Sequence, residues 1–238
     1  MVPPRIAQVQ EQGRTEDDGD RASVGCKRGH VQAGRLTKES LASAARRLAG
    51  QDSDLARILD RYGEPPLWAR KPGFPTLIRI ILEQQVSLAS ARSMFMRLAA
   101  RVAPFTASRF AELGEPYFRS LGVTRQKAAY CVHAARTITA GHLTLAAVGR
   151  MSDADARAAL TRIKGVGPWT ADIYLLMALR RADVWPSGDL ALVSAVGRLK
   201  ELGERTTPHA IAEIAERWRP FRSVAARMLW QYYLARGV

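Results

Sequence analysis

The sequence predicts an all-α protein of roughly ten helices joined by short connections. Apolar residues recur three and four positions apart almost everywhere from Leu36 onward, which is typical of amphipathic helices. Residues that cap helix N-termini precede these segments, and Gly or Pro follows many of them. No segment shows a convincing two-residue alternation, so the pattern favours helices over a mixed or β fold.

The first predicted helices lie at 36–50 and 52–63, and Asp52 or Ser53 caps the second of them. A proline-rich loop, EPPLWARKPGFP, separates this pair from the rest of the chain. Two apolar helices follow the loop, FPTLIRIILEQQ and, after Val86, SLASARSMFMRLAARV. A short polar turn is therefore expected between these two apolar helices.

Further helices are predicted in the second half of the chain. Thr124 caps TRQKAAYCVHAARTITAG and Ser152 caps SDADARAALTRI. Pro168 begins PWTADIYLLMALRRA, because proline is favoured at a first helical position. The remaining predicted helices are TASRFAELGEPYFRSLG, DLALVSAVGRLKEL, TPHAIAEIAERW and FRSVAARMLWQYYLA.

The charge of the chain indicates a polyanionic partner. The 238 residues carry a formal net charge of +14, from 36 Lys and Arg against 22 Asp and Glu. Nucleic acid is favoured over an anionic membrane surface, while a generally basic proteome remains an open explanation. The two cysteines, Cys26 and Cys131, are too few for a disulfide framework or a Cys-ligated zinc or iron–sulfur site. The four histidines lack ligand spacing, so metal catalysis is not expected.

The chain divides into a polar tail, residues 1–36, and a helical domain, residues 37–238. The first segment is rich in Gly, Gln, Arg and Asp without any period, which predicts disorder. No apolar run approaches the ~20 residues that span a bilayer, and the N-terminus lacks the apolar core of a secretory signal. These observations predict a cytoplasmic protein.

A Gly-x-Gly turn stands out in LTRIKGVGPWTA, between a helix ending near Ile163 and a helix beginning at Pro168. Glycine tolerates positive φ and lets an outside group approach the backbone closely. The free N–H groups and dipole of the second helix form an anion site, to which Lys164 adds charge. A DNA phosphate is the expected ligand, although a plain helix–helix turn fits the same residues.

These residues, together with WPSGDLAL one helix later, resemble the HhH-GPD superfamily of DNA glycosylases, and most closely its 3-methyladenine DNA glycosylase II branch. The resemblance covers about residues 60–238 and extends to ILEQQVSLASA, SLGVTRQKAAY and ERWRPFRSVAARMLW. It implies a two-lobed helical fold with a helix-hairpin-helix at about 152–182 and an active-site cleft between the lobes. Lys164 replaces the usual proline, and the chain resembles the compact form without an N-terminal β-domain.

The resemblance implies that Asp189 is the catalytic carboxylate, which stabilises the sugar cation and orients water. Asp189 also reads as a helix N-cap, and a helix N-terminus favours a negative charge. Trp169 and Trp230 match aromatic residues of the family's base pocket. Tyr174 is a weaker candidate for the pocket, because the family's tyrosine matches Ile173.

The resemblance also implies the residues that contact DNA. Gln85, with Gln84 beside it, matches the wedge that fills the gap left by an extruded base; a polar helix end is the alternative reading. A monovalent cation held by hairpin carbonyls is expected when DNA is bound, and no other cofactor. The expected phosphate-binding residues are Lys164, Gly165, Val166, Gly167 and Thr170.

The implied reaction is hydrolysis of alkylated purines, of the 3-methyladenine and 7-methylguanine type, from double-stranded DNA by a monomer. Bifunctional members carry a nucleophilic Lys where this chain has Trp169, so no strand cleavage is expected. Asp172 lies within the hairpin's second helix, and Asp183 is expected to cap or to pair with Arg. Two alternatives remain open: a non-catalytic helix-hairpin-helix binder of distorted DNA, and a glycosylase for hypoxanthine, uracil or ethenoadenine.

Overall fold

The computed structural model describes residues 35–203 and 206–236 of the chain. Within these ranges the fold is all-α, with twelve α-helices and no strand, which confirms the predicted fold class. The predicted disordered tail lies outside the described residues except at its end, where Leu36 is 2% exposed. Leu36 is the first buried residue of the described ranges, and its N–H donates to the carbonyl of Arg180 at 2.8 Å.

The helices follow the predicted order, with one short addition, α7. A five-residue π-helical turn, Tyr174–Ala178, continues α9, and a 3₁₀ turn, Glu216–Trp218, follows α11. The α-helices are α1 Lys38–Ala49, α2 Ser53–Tyr62, α3 Phe74–Glu83, α4 Leu88–Arg101, α5 Ala107–Ser120, α6 Arg125–Thr139, α7 Leu145–Val148, α8 Asp153–Thr161, α9 Pro168–Ile173, α10 Leu190–Leu199, α11 Pro208–Ala215 and α12 Arg222–Ala235.

The predicted helix starts have the expected chemistry. Thr124 and Ser152 each accept a hydrogen bond from a first-turn backbone N–H. Of the two candidates before α2, Asp52 is the N-cap and Ser53 is the first helical residue. Pro168 begins α9, where its missing N–H leaves no helical bond unmade.

The helices pack mainly in two groups. Helices α1, α2, α10, α11 and α12 form one group, and α3 to α9 with the π-helical turn form the other. A continuous cluster of buried apolar side chains runs through both groups. The N- and C-terminal helices thus pack together, and their forming a separate lobe stays a prediction. In the described ranges, no helix has the length and apolar character needed to cross a membrane.

Candidate active site

Asp189 stands at the start of α10 as its N-cap. A turn at Pro186–Asp189 leads into the helix, with Gly188 in the left-handed region at φ 80°. The Oδ1 atom of Asp189 accepts the N–H of Leu192 at 3.0 Å. The N-cap bond therefore fixes one carboxylate oxygen against the positive end of the helix.

Two indole N–H groups hold the same carboxylate from different helices. Trp169 Nε1 in α9 donates to Oδ2 of Asp189 at 2.9 Å, and Trp230 Nε1 in α12 donates to Oδ1 at 3.2 Å. The three predicted residues thus meet where the two helix groups adjoin. A carboxylate offers about four lone-pair directions, and three N–H donors occupy three of them. One direction on Oδ2 has no donor among the described residues, and Asp189 remains partly exposed.

The hairpin between α8 and α9 contains two glycines that differ in backbone conformation and in surroundings. Gly165 has φ 90°, and a Cβ at this position would lie 2.1 Å from Cγ of Tyr130. The sequence predicts that an outside group approaches this backbone, whereas the group that does so in the structure is the chain's own Tyr130 ring. Gly167 has an ordinary φ of −82°, and a Cβ there would have no atom within 4 Å. Only Gly167 leaves open space for a ligand.

The four backbone N–H groups from Lys164 to Gly167 divide into two that are paired and two that are not. The N–H of Lys164 is taken by Nδ1 of His133 at 3.2 Å, and that of Val166 closes the turn at 2.9 Å. Within the described ranges, the N–H groups of Gly165 and Gly167 have no acceptor. Unpaired N–H groups at the start of a helix suit an anion, and phosphate binding by this hairpin stays a prediction.

The two wedge candidates have different surroundings. Gln84 Nε2 donates to the Gly165 carbonyl and to Oγ1 of Thr170, both at 2.8 Å. Gln85 is exposed, has φ 55°, and its side chain has no hydrogen bond to another described residue. Gln84 therefore anchors the α3–α4 turn to the hairpin, while Gln85 projects from it. The Thr170 side chain is buried and accepts from Gln84, and a phosphate contact by this residue stays a prediction.

The family model described as HhH-GPD superfamily base excision DNA repair protein matches residues 78–220, more than half of the chain. The chain belongs to this superfamily. The match includes the hairpin, Asp189 and the α3–α4 turn, which are the features assembled around the site.

Named relatives of this HhH-GPD protein are DNA-3-methyladenine glycosylases. That of Schizosaccharomyces pombe, glycosylase 1, is 27% identical over 81% of this chain and 87% of its own length. The solved structure of S. pombe Mag1 in complex with abasic DNA has a TM-score of 0.71, 26% identity, and coverage of 79% and 95% of the two chains. A Bacillus halodurans DNA-3-methyladenine glycosidase has a TM-score of 0.70, 26% identity, and coverage of 80% and 88%. The chain spans 65% and 41% of two Bacillus subtilis relatives.

Other predicted pocket residues of this HhH-GPD chain are buried. Trp230 is 2% exposed and Ile173 is 3% exposed. Tyr174 is fully buried, its hydroxyl accepts the N–H of Gly73 at 3.0 Å, and burial raises the pKa of its phenol. A role for these three residues in contacting a base stays a prediction. Trp169, the fourth predicted pocket residue, is only partly buried and so is more accessible than the other three.

The two other aspartates near the hairpin of this HhH-GPD protein have arginine partners. Asp183 accepts from Arg219 Nη1 at 2.7 Å and from Arg222 Nε at 2.9 Å, as the sequence predicts. Asp172 accepts from Arg157 Nε at 2.6 Å, and burial raises its pKa to about 6 despite that arginine. Among these three acids, only Asp189 contacts the tryptophans.

Several residues that position this HhH-GPD site were not predicted from the sequence. His133 binds the hairpin backbone, and Lys127 Nζ donates to the Leu82 carbonyl at 2.7 Å, at the end of α3 just before the α3–α4 turn. Burial lowers the pKa of Lys127. Trp68, in the proline-rich loop, packs against Trp230. Local sequence carries no signal for such contacts between distant segments.

Proposed function

We propose that this chain is a monofunctional DNA glycosylase that hydrolyses the N-glycosidic bond of alkylated purines, of the 3-methyladenine and 7-methylguanine type, in duplex DNA. The observation that carries the proposal is the Asp189 carboxylate, held by three N–H donors and partly exposed where the helix groups meet. Membership of a base excision repair superfamily and the names of the relatives support the reaction and the substrate class.

The carboxylate supplies the charge that this reaction needs. An extruded alkylated purine leaves with the electron pair of its glycosidic bond, and positive charge develops on the deoxyribose. The free lone pair of Asp189 Oδ2 faces this charge, while Trp169 and Trp230 prevent the carboxylate from turning away. Water then adds to C1′, and the proton it loses passes to the carboxylate or to solvent. The products are a free base and an abasic site.

The hairpin provides the grip on DNA. The N–H groups of Gly165 and Gly167 and the start of α9 face a phosphate, and exposed Lys164 adds a positive charge. The net charge of +14 favours binding to the duplex in general. Gln85 enters the gap left by the extruded base, where its amide can hydrogen-bond the unpaired partner base.

A monovalent cation fits the same hairpin. The carbonyl of Val166 accepts no backbone hydrogen bond within the described ranges, whereas that of Gly165 is taken by Gln84. Carbonyl oxygens are suitable ligands for monovalent cations. When bound, the cation would add positive charge beside the phosphate; Val166 is the residue that would hold it.

Substitution of Gly167 by Ala should raise the Kd for duplex DNA about tenfold. The added methyl group would keep the phosphate away from the hairpin N–H groups and so remove roughly one charge-assisted hydrogen bond. The added methyl group meets nothing in the free protein, because no atom lies within 4 Å of that position. The melting temperature should therefore change little. Fluorescence anisotropy with a labelled duplex measures the affinity, and an unchanged Kd would remove Gly167 from the phosphate contact.

An oligonucleotide with a single 7-methylguanine should yield the free base and an intact abasic strand. Borohydride should trap no covalent protein–DNA adduct, because Trp169 occupies the position of the nucleophilic amine. A trapped adduct or a cleaved strand would contradict monofunctional chemistry. Binding without release of any base would support the alternative of a non-catalytic DNA-binding protein. The same assay with hypoxanthine, uracil and ethenoadenine separates the remaining lesion classes.

A further inference from the structure

Trp68 lies beside the site although it comes from a distant loop. Its ring centroid is 6.3 Å from that of Trp230, with the ring planes inclined at 60°. Trp230 in turn donates to the Asp189 carboxylate. The loop between α2 and α3 therefore brings an additional aromatic ring to the tryptophan that holds the catalytic acid.

The exposure of the rings favours Trp68 as the surface that a base contacts. Trp230 is 2% exposed, so its faces are covered, whereas Trp68 is only partly buried. Two rings inclined at 60° form a corner, and a planar base cannot lie between them because a sandwich requires parallel faces. A base at this corner therefore stacks on the accessible ring, which is that of Trp68.

The backbone of Trp68 is strained. Its φ of 45° lies in the left-handed region, which is costly for a bulky residue unless the surrounding structure holds it. Strain of this kind concentrates at sites that bind ligands. The structure holds this conformation with a residue of α12, one turn before Trp230.

That residue is Arg227, which is fully buried and makes no ion pair in the described part of the chain. Its guanidinium donates to the carbonyls of Leu67 at 2.9 Å, Ser223 at 3.0 Å and Leu176 at 2.8 Å. Burial lowers its pKa to about 9, so it still carries charge at neutral pH. The planar fork of an arginine suits three divergent acceptors, and one of them is the residue directly before Trp68.

We propose that Trp68 is the ring on which the extruded alkylated purine stacks, and that Arg227 positions Trp68 by holding its loop against α12. The inference rests on the proposed function and identifies the residue that recognises the substrate. An electron-poor alkylated purine stacks well on an electron-rich indole. Trp68 is thus a specificity-determining residue, and Trp230 supports both the acid and the stacking ring.

The test compares two duplexes that differ in one base. One contains 2′-fluoro-7-methylguanine, whose fluorine suppresses formation of the sugar cation, so the lesion remains intact; the other contains guanine. Trp68→Ala should raise the Kd for the lesion duplex about tenfold, as expected for loss of one stacking contact, and leave the Kd for the guanine duplex unchanged. Trp68→Phe should retain most of the preference.

Tyr62→Ala is the matched control. Tyr62 also packs edge-to-face on an aromatic residue of α12, with its centroid 6.3 Å from that of Tyr232 and an interplanar angle of 67°. This variant should keep the wild-type preference. A preference that survives Trp68→Ala, or an equal rise of Kd for both duplexes, would overturn the inference alone. A wild-type protein without any preference would refute the proposed function and the inference together.

A double-mutant cycle tests the positioning role of Arg227. Arg227→Lys keeps the charge but cannot reach three carbonyls, so it should lower the lesion preference. If Arg227 acts through Trp68, Trp68→Ala with Arg227→Lys should lose no more preference than Trp68→Ala alone. If the double variant loses lesion preference by the product of the two single-variant factors, Arg227 does not act through Trp68 and this role is rejected. Thermal unfolding of each variant identifies the temperature at which all are folded for the comparison.

Discussion

Asp189→Asn should lower the single-turnover rate of base excision at least about 100-fold. The amide carries no negative charge to stabilise the sugar cation. Its NH₂ group is also a donor, whereas the indole N–H groups of Trp169 and Trp230 require acceptors at both oxygen positions. The rate is measured with enzyme in excess over an oligonucleotide containing one 7-methylguanine.

The variant should remain folded and bind DNA, because Asn is as good an N-cap as Asp. Asp183→Asn is the matched control, since Asp183 contacts Arg219 and Arg222 and neither tryptophan. The control should lose some thermal stability and keep the excision rate of the folded protein. Normal excision by Asp189→Asn would show that the carboxylate is only a helix cap.

Gly165→Ala should lower the free energy of unfolding by about 3 kcal/mol, as expected for a forced overlap combined with an unfavourable backbone angle. The new methyl group would lie 2.1 Å from Cγ of Tyr130, and Gly165 has φ 90°. Urea unfolding followed by circular dichroism measures this loss. Gly167→Ala serves as the comparison, because its methyl group has open space.

Removal of the Tyr130 ring separates the two causes. In the Gly165→Ala background, Tyr130→Ala should restore the part of the stability that the overlap removes, while the cost of the left-handed backbone remains. The double variant should therefore be more stable than Gly165→Ala alone. A Gly165→Ala protein as stable as the wild type would show that the hairpin adjusts freely.

The fold could be predicted from sequence because its determinants are local. N-caps such as Thr124 and Ser152 act on the next three residues, and the helical spacing of apolar residues shows which segments are helices. The hairpin and Asp189 were recognised for the same reason: each is defined by a short run of adjacent residues. The choice of Asp52 over Ser53 depended on geometry that the sequence leaves open.

The contacts that complete the site could not be predicted, because they join residues far apart in the chain. The Tyr130 ring leaves no room for a side chain at position 165, which is why that residue is glycine. Gln84 binds the hairpin across 81 positions, and Arg227 reaches Leu67 across 160 positions. Trp68 lies in a loop whose prolines predict only that no helix continues there. Three-dimensional packing decides these pairings, and it depends on the whole chain.

The hydrogen bonds of the Gln84 amide have a consequence for how the protein would search DNA for a lesion. Because this nitrogen fastens the turn bearing Gln85 to the hairpin, the predicted wedge and the predicted phosphate-binding hairpin are held together as one unit. Under the proposed function, Gln85 would press against the stacked bases of the DNA whenever the hairpin binds a phosphate, without a separate closing motion of the protein. Gln85 would be kept out of intact DNA by its firmly stacked bases, and it would enter where a lesion has weakened the stacking.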